Sequence, residues 1–146
     1  MTPDRWEDLV ELFGERGAYG GCWCMYFRLT RGEFDRGTRD RGKGNRAALK
    51  AIVDAGRVPG LLAYVYGRPV GWVSVAPRQD FGRVERSPST RPVVDRPAWS
   101  IVCFYMHRAY RGQGVGSALL RAAVEHARST VPGSWRDTPS TPPRDG

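Results

Sequence analysis

The sequence predicts an α/β (α+β) domain, and three of its segments carry that prediction. The first is an amphipathic helix near the N-terminus, and the second is a β-hairpin followed by a strongly apolar strand. The third is a glycine-rich turn that leads directly into another amphipathic helix. At 146 residues with 40% hydrophobic content, the chain is long enough for one domain with its own core.

The N-terminal third supplies a helix and then a long polar stretch. Apolar residues recur at helical spacing over Pro3–Phe13, which predicts a helix with Thr2 as its N-cap. The aromatic-rich run Cys22–Leu29 fits either a short strand or a buried loop. Residues 28–46 are polar and glycine-studded, which predicts a solvated, mobile loop. A flap that guides an anionic ligand is the alternative interpretation.

The middle of the chain predicts a second helix and a hairpin. Asn45 is expected to cap a helix over Arg46–Ala55, and Gly56 is expected to end it. Two runs rich in β-branched and aromatic residues, Leu61–Tyr66 and Val70–Ala76, flank a compact turn and predict the two strands of a hairpin.

A long excursion separates the hairpin from the last strand and helix. Residues 78–97 hold five arginines and three prolines, which predicts a long irregular excursion with one helical turn near Asp80. Trp99–Met106 is the most hydrophobic run, so we expect it to be the central strand, covered on both faces. Helical periodicity resumes over Gly114–Arg128.

The charge of the chain and its lack of targeting patterns limit which partners and which location we expect. The chain has 23 basic and 15 acidic residues, and 21 of the basic residues are arginine. A positive surface favours anionic partners in general. The arginines are dispersed and no base-reading motif is recognisable, so we do not expect a nucleic-acid partner. No apolar run could span a bilayer and no secretion signal is visible, so we expect a cytoplasmic protein with no membrane partner.

The three cysteines do not indicate a metal site. Cys22 and Cys24 lie close together, but Cys103 is distant in the sequence and only two histidines are present. A structural zinc site needs four ligands. We therefore expect reduced, partly buried thiols and no metal.

The turn between the last strand and the last helix has the features of a pyrophosphate site. Gly112, Gly114 and Gly116 leave successive backbone N–H groups free of obstructing side chains. The helix that starts there adds its positive end and its unpaired amides. Arg111 contributes a permanent positive charge with paired donors.

Two other glycine-rich phosphate motifs do not fit this turn. A Walker loop requires Gly-Lys-Ser/Thr, and the turn contains no lysine. The dinucleotide fingerprint has a different glycine spacing and needs a following strand with an acidic tip, which is missing here. Both alternatives are therefore rejected.

The pattern Q/R-x-x-G-x-G/A does fit, as Arg111-x-x-Gly114-x-Gly116 followed by Ser-Ala-Leu-Leu. This segment closely resembles the cofactor segment of the GNAT superfamily of acyl-CoA-dependent N-acyltransferases. The hairpin with Val70-Gly71-Trp72-Val73 and the order helix, helix, hairpin, strand, helix are also similar, over about residues 1–130. The resemblance implies a GNAT-like mixed sheet with helices on both faces.

The resemblance also implies where acetyl-CoA would bind as cosubstrate. The backbone of Phe104, Tyr105 and Met106 would pair with the pantetheine arm as an added strand does. The activity implied is transfer of an acetyl group to a primary amine of an unidentified acceptor, either a small molecule or a peptide, and the chain could form a homodimer. The residues implied to hold the pyrophosphate are Arg111, Gly112, Gln113, Gly114, Val115, Gly116 and Ser117.

The sequence does not identify the general base. His107 and Glu85 are candidates, Glu33 is a weaker one, and a chain of waters is an alternative. Cys103 as an acyl-carrying nucleophile is disfavoured, because no base is placed beside it in the sequence. Three aromatic residues lie where members of this family often line the acceptor pocket, namely Trp23, Tyr26 and Phe27. The alternative expectation is that their side chains pack in the core.

The chain departs from the superfamily after its last helix. Members continue with further strands and a helix, which supply the other wall of the cofactor groove and often a tyrosine that protonates the leaving thiolate. Residues 132–146 contain four prolines and are expected to be a disordered tail after a single GNAT-like domain at 1–131. We therefore expect a truncated or frameshifted C-terminus with the last strands missing. A weakly active or inactive acyl-CoA-binding remnant is the alternative function.

Overall fold

The computed structural model describes residues 1–90 and 98–130. The predicted tail at 132–146 lies outside the described residues. The predicted α/β class is confirmed, because helices flank a three-stranded sheet. The helices are α1 (Trp6–Phe13), α2 (Arg31–Gly37), α3 (Arg39–Asp54), α4 (Gly82–Arg86) and α5 (Val115–Thr130), and the strands are β1 (Gly60–Val65), β2 (Arg68–Pro77) and β3 (Trp99–Met106).

The sheet has the strand order β1-β2-β3, and both neighbouring pairs are antiparallel. Within the described residues the central strand is therefore β2, and the prediction that Trp99–Met106 is central is wrong. Nearly every residue of β2 is buried, whereas β3 is only partly buried and Phe104 is 43% exposed. An apolar run predicts a strand, but it does not specify which strands lie beside it.

The two faces of the sheet carry separate hydrophobic clusters, so helices on both faces are confirmed. On one face, α1 and α3 cover Trp72 with a cluster rich in aromatic rings. The rings of Phe13 and Trp72 meet edge to face at 5.8 Å. The smaller cluster on the other face joins α5 to β2 and contains Val73, Val75, Leu119 and Ala123.

Gly71 of β2 allows α5 to lie close to the sheet. A Cβ atom at this position would be 2.9 Å from Leu119 Cδ1 and 3.0 Å from Val115 Cγ1. Carbon atoms pack best at roughly 3.5–4.0 Å, so any side chain here would push the helix away. Since Gly71 pairs with Met106, this contact places the first turn of α5 beside the end of β3.

The N-terminal helix and the hairpin are confirmed. A 3₁₀ turn over Pro3–Arg5 leads into α1, and Thr2 stands at its N-cap position. The side chain of Thr2 does not cap the helix amides but donates to the carboxylate of Asp4. No helix in the described part of the chain combines the length and apolar character needed to cross a membrane.

The prediction of a mobile loop over residues 28–46 is wrong, because α2 and the start of α3 lie there. Thr30 and Glu33 form a capping box at the start of α2. The Thr30 N–H donates to Glu33 Oε2 at 2.9 Å, and the Glu33 N–H donates to Thr30 Oγ1 at 3.4 Å. This reciprocal pair satisfies amides that a helix start otherwise leaves open. Residues 40–42 have positive φ and kink the chain before the regular part of α3.

The prediction that Asn45 caps a helix is also wrong. Asn45 lies inside α3, fully buried, and its Nδ2 donates to the carbonyl oxygen of Gly21 at 3.0 Å. It therefore tethers α3 to the glycine-rich turn after α1. The run Cys22–Leu29 is a buried loop rather than a strand, with Met25 only 2% exposed.

Candidate functional site

The turn after β3 is anchored to the sheet at its start. The N–H of His107 donates to the carbonyl oxygen of Val70 at 2.8 Å. A 3₁₀ turn over Arg108–Tyr110 follows. Gln113 Nε2 then donates to the carbonyl oxygen of Ala109 at 3.1 Å, which closes the turn on itself. These contacts therefore hold the backbone of the turn in place. They leave the side of the turn that faces away from the sheet open.

Two glycines shape the end of the turn. Gly112 and Gly114 have φ of +76° and +82°, a region that glycine adopts without strain. A Cβ atom at either position would meet nothing within 4 Å, so the space in front of the turn is open. Gly116 differs, because a Cβ atom there would lie 3.3 Å from Met106 Cε. It lets the first turn of α5 lie against the end of β3.

The backbone N–H groups from Gly112 to Ser117 have no hydrogen-bond acceptor within residues 1–90 and 98–130. The first amide to bond back is that of Ala118, which donates to the carbonyl oxygen of Gly114 at 3.1 Å. The turn itself is exposed. A run of free donors at the start of a sixteen-residue helix binds anions, because the helix dipole adds positive potential at the same place.

Two guanidinium groups raise the positive potential of this turn. Arg108 and Arg111 are both exposed. No carboxylate of the described segments lies within ion-pair distance of either side chain. Fixed charges without an internal partner are available to an anionic ligand.

β3 has a free backbone edge as far as the structure describes the chain. It pairs with β2 alone. The hydrogen bond from the His107 N–H to the Val70 carbonyl oxygen determines which residue pairs of β2 and β3 are hydrogen-bonded to each other. Because hydrogen bonding alternates along antiparallel strands, the ladder uses the backbone of Tyr105 and directs the N–H and C=O groups of Phe104 and Met106 away from β2.

A β-bulge interrupts the pairing of β3 further from the turn. Ser74 pairs with Cys103 and Val75 pairs with Ile101, so Val102 has no partner in the register. A bulge bends the strand and redirects its backbone groups. No glycine or proline marks this position, and the sequence therefore did not predict it.

His107 has a local structural contact. Its Nδ1 accepts a hydrogen bond from the N–H of Ala109 at 3.2 Å and caps the 3₁₀ turn. Its ring lies edge-on to that of Tyr110 at 5.7 Å. The ring is exposed, and the contact leaves Nε2 unused. His107 therefore stays a candidate base that adjoins the open turn.

The two glutamates predicted as candidates both serve structural contacts. Glu85 Oε1 accepts from Arg78 Nε at 2.8 Å, which ties α4 to the end of β2. The hydrogen bonds that Glu33 accepts from the backbone and side chain of Thr30 lower the pKa of Glu33. A carboxylate with a lowered pKa is a weaker proton acceptor, which counts against Glu33 as the base.

The fold brings the cysteines together. The buried Cys24 Sγ accepts from Trp72 Nε1 at 3.4 Å. Interaction with Cys103, together with burial, raises the pKa of Cys24 well above its usual value, and interaction with Cys24 lowers the pKa of Cys103. All three thiols are free, and no group of ligating side chains in the described residues is arranged to hold a metal ion.

Three solved N-acetyltransferases have a fold similar to that of this chain. A ribosomal-protein-alanine N-acetyltransferase from Brucella melitensis biovar Abortus 2308 aligns with a TM-score of 0.50 and 16% identity, over 88% of this chain and 70% of its own. An aminoglycoside antibiotic 6'-N-acetyltransferase from Acinetobacter haemolyticus aligns with a TM-score of 0.53 and 16% identity, over 88% of this chain and 69% of its own. A GCN5-related N-acetyltransferase from Ralstonia eutropha JMP134 aligns with a TM-score of 0.51 and 17% identity, over 90% of this chain and 75% of its own. At these identities the likeness defines the fold alone.

The sequence itself assigns the family. The model of the acetyltransferase (GNAT) family matches residues 23–135, which is more than half of the chain. The chain therefore belongs to the GNAT acetyltransferase family, as its glycine motif predicted. No curated protein matches it significantly.

Proposed function

We propose that this protein is an N-acetyltransferase that transfers the acetyl group of acetyl-CoA to a primary amine. The observation that carries the proposal is the run of free amides from Gly112 to Ser117 at the start of α5. The pyrophosphate of coenzyme A would accept hydrogen bonds from this run, and Arg111 would add a charged donor at its beginning.

The space in front of the turn is open to an anion. Because a Cβ atom at Gly112 or Gly114 would meet no neighbour, oxygen atoms can approach the amides there without displacing protein atoms. Arg108 and Arg111 offset the negative charge of the diphosphate. Both features favour binding from the solvent side with little rearrangement of the chain.

The free edge of β3 is suited to the pantetheine arm. Its amide groups would pair with the outward N–H and C=O groups of Phe104 and Met106, as in β-strand addition. From the turn, the arm would run along β3 toward the bulge at Val102, where the thioester would lie. Holding the thioester against a rigid strand lowers the entropy cost of reaching the transition state.

In the reaction, the neutral amine attacks the carbonyl carbon of the thioester. The new C–N bond forms as the C–S bond breaks, and the sulfur leaves as the thiolate. The product nitrogen then loses its extra proton, and the thiolate takes up a proton to give free coenzyme A. The proton of the incoming ammonium has to be removed before attack. The exposed Nε2 of His107 is the candidate acceptor beside the turn, with a water chain as the alternative.

Calorimetric titration with acetyl-CoA, paired with a thiol-release assay over a panel of primary amines, tests the proposal. We expect saturable binding and amine-dependent release of coenzyme A. Binding without turnover for every amine would instead favour an acyl-CoA-binding protein without transferase activity. No detectable binding of acetyl-CoA would contradict the proposal.

A further inference from the structure

A cleft of about 540 Å³ lies between the loop after Trp23 and α4. This volume is within the roughly 300–1,000 Å³ of small-molecule sites. Tyr26 and Phe27 form an aromatic wall, and Arg31, Arg83 and Arg86 contribute three guanidinium groups. None of the lining residues belongs to the turn after β3, and none is acidic.

Arg83 is fixed in place at one wall of the cleft. The backbone N–H of Arg83 donates to the carbonyl oxygen of Phe27 at 3.1 Å, and the side-chain Nε of Arg83 donates to the carbonyl oxygen of Leu29 at 3.3 Å. The guanidinium lies over the ring of Tyr26 at 4.1 Å. Its remaining N–H donors have no acceptor in the described segments. A planar cation held this way presents a preorganised pair of donors.

The other two arginines add positive charge to the cleft, and Arg86 also acts on the exposed carboxylate of Glu33, whose pKa it helps to lower. Arg86 has no carboxylate within ion-pair distance among the described residues. Arg31 forms an ion pair with the exposed Asp35 at 3.8 Å on the protein surface. A cleft lined by cations without an acidic residue attracts anions. The aromatic wall beside it offers contact area to an apolar group.

The cleft is connected to β3 by a short piece of chain. Tyr26 is two residues from Cys24, and Cys24 belongs to the core cluster against which Cys103 of β3 packs. Two residues of chain span at most about 7 Å. The aromatic wall of the cleft therefore lies near the part of β3 to which the thioester is assigned above.

We infer that this cleft binds the acceptor, and that the acceptor is a small amine that carries a carboxylate next to an apolar side chain. This inference rests on the proposed acetyl transfer. Arg83 and Arg86 bind the carboxylate, and Tyr26 and Phe27 contact the apolar group. The amine is then directed toward β3, where it meets the thioester.

Matched pairs of amines test the carboxylate requirement. The probes are phenylalanine, leucine and tyrosine, each compared with its own carboxamide, which keeps the amine and side chain but removes the negative charge. Each probe is titrated by calorimetry into the full chain saturated with coenzyme A, and each is also tested in the thiol-release assay with acetyl-CoA. We expect at least one acid to bind roughly tenfold more tightly than its amide, and to react faster by a similar factor in kcat/KM.

Substitutions test whether the cleft is the site. Arg86→Gln is expected to abolish the preference for the acid over the amide while leaving coenzyme A binding unchanged. Arg83→Gln is expected to do the same, with a thermal melt to check that the loop it supports remains folded. Arg16→Gln removes an equal charge from an exposed position outside the cleft and should keep the preference.

The outcomes separate the two proposals. Failure of coenzyme A to bind contradicts the proposed function itself. If coenzyme A binds but no acid binds better than its amide, the carboxylate site is overturned while the proposed function stands. The location of the site would be overturned if Arg86→Gln and Arg83→Gln kept the preference for the acid over the amide as fully as the control Arg16→Gln does.

Discussion

β2 and β3 are adjacent apolar strands, yet they occupy different environments. β2 has a strand on each side and a hydrophobic cluster on each face, and Trp72, Val73 and Val75 are at most 1% exposed. Within the part of the chain that the structure describes, β3 pairs with β2 alone, and its residues are half-buried or, in the case of Phe104, exposed. The turn that follows β3 carries free amides, whereas the residues around β2 are closely packed.

The comparison separates two roles within one small sheet. β2 holds the helices of both faces together, so changes in its side chains should act mainly on folding stability. The open edge of β3 and the turn after it present backbone groups, so changes there should act mainly on ligand binding.

The largest effect is expected in the core around β2. Trp72→Ala removes a fully buried indole that contacts Phe13 and Cys24, and should lower the free energy of unfolding by about 3–5 kcal/mol. Phe104→Ala on β3 is the control, with an expected loss of about 1 kcal/mol or less because the ring is exposed. Urea unfolding monitored by circular dichroism measures both. Equal losses would remove the distinction between the strands.

The next effect separates backbone strain from ligand binding. Gly114→Val places a branched side chain at φ +82° in front of the free amides, and Gly56→Val places one at φ +80° with equally open space at the end of α3. Both should lose about 1–3 kcal/mol of stability from strain. Only Gly114→Val should lose acetyl-CoA affinity, by on the order of a hundredfold. Retained affinity in Gly114→Val would count against the assignment of the turn.

A smaller effect is expected from the charge beside the turn. Arg111→Gln removes an exposed cation, so a loss of about 1 kcal/mol, or roughly fivefold in the affinity for acetyl-CoA, is expected after solvent screening. The affinity of the unaltered protein should fall more steeply with added salt than that of the variant. Calorimetry at two ionic strengths measures this, and equal salt dependence would exclude a contact between Arg111 and the diphosphate.

The smallest effect concerns the capping box of α2. The pKa of Glu33 is lowered from 4.5 by its hydrogen bonds to Thr30, so its stabilising contribution is present above pH 4.5 and is lost as the pH falls through the lowered value. Thr30→Ala should destabilise the protein at neutral pH, and the difference should shrink on acidification. An NMR titration in which Glu33 has an ordinary pKa would contradict this account.

The sequence predicted those elements that have a strong local signal. The helix before Gly14, the hairpin, the apolar strand and the glycine turn with its helix are each defined by periodicity or by turn residues. The capping box at Thr30 and Glu33 was also present as a local pattern, but the glycines around it favoured a loop. Polarity and glycine content describe exposure, and they do not exclude a helix that is started by a cap.

Features that depend on distant neighbours could not be predicted in the same way. Whether Trp99–Met106 is central or at an edge depends on which strands pair with it. The bulge at Val102 depends on its register with β2. The buried Asn45 depends on the carbonyl group of Gly21, 24 residues earlier. The cleft between Tyr26 and Arg83 likewise joins segments that are far apart in the sequence.

The most direct test of the account is an amide-resolved NMR titration of the protein with coenzyme A. We expect the N–H signals of residues 112–117 to shift the most and their exchange with solvent to slow on binding, while the N–H signals of β2 change little. Large changes confined to other segments, with the amides of residues 112–117 unaffected at saturating coenzyme A, would contradict it.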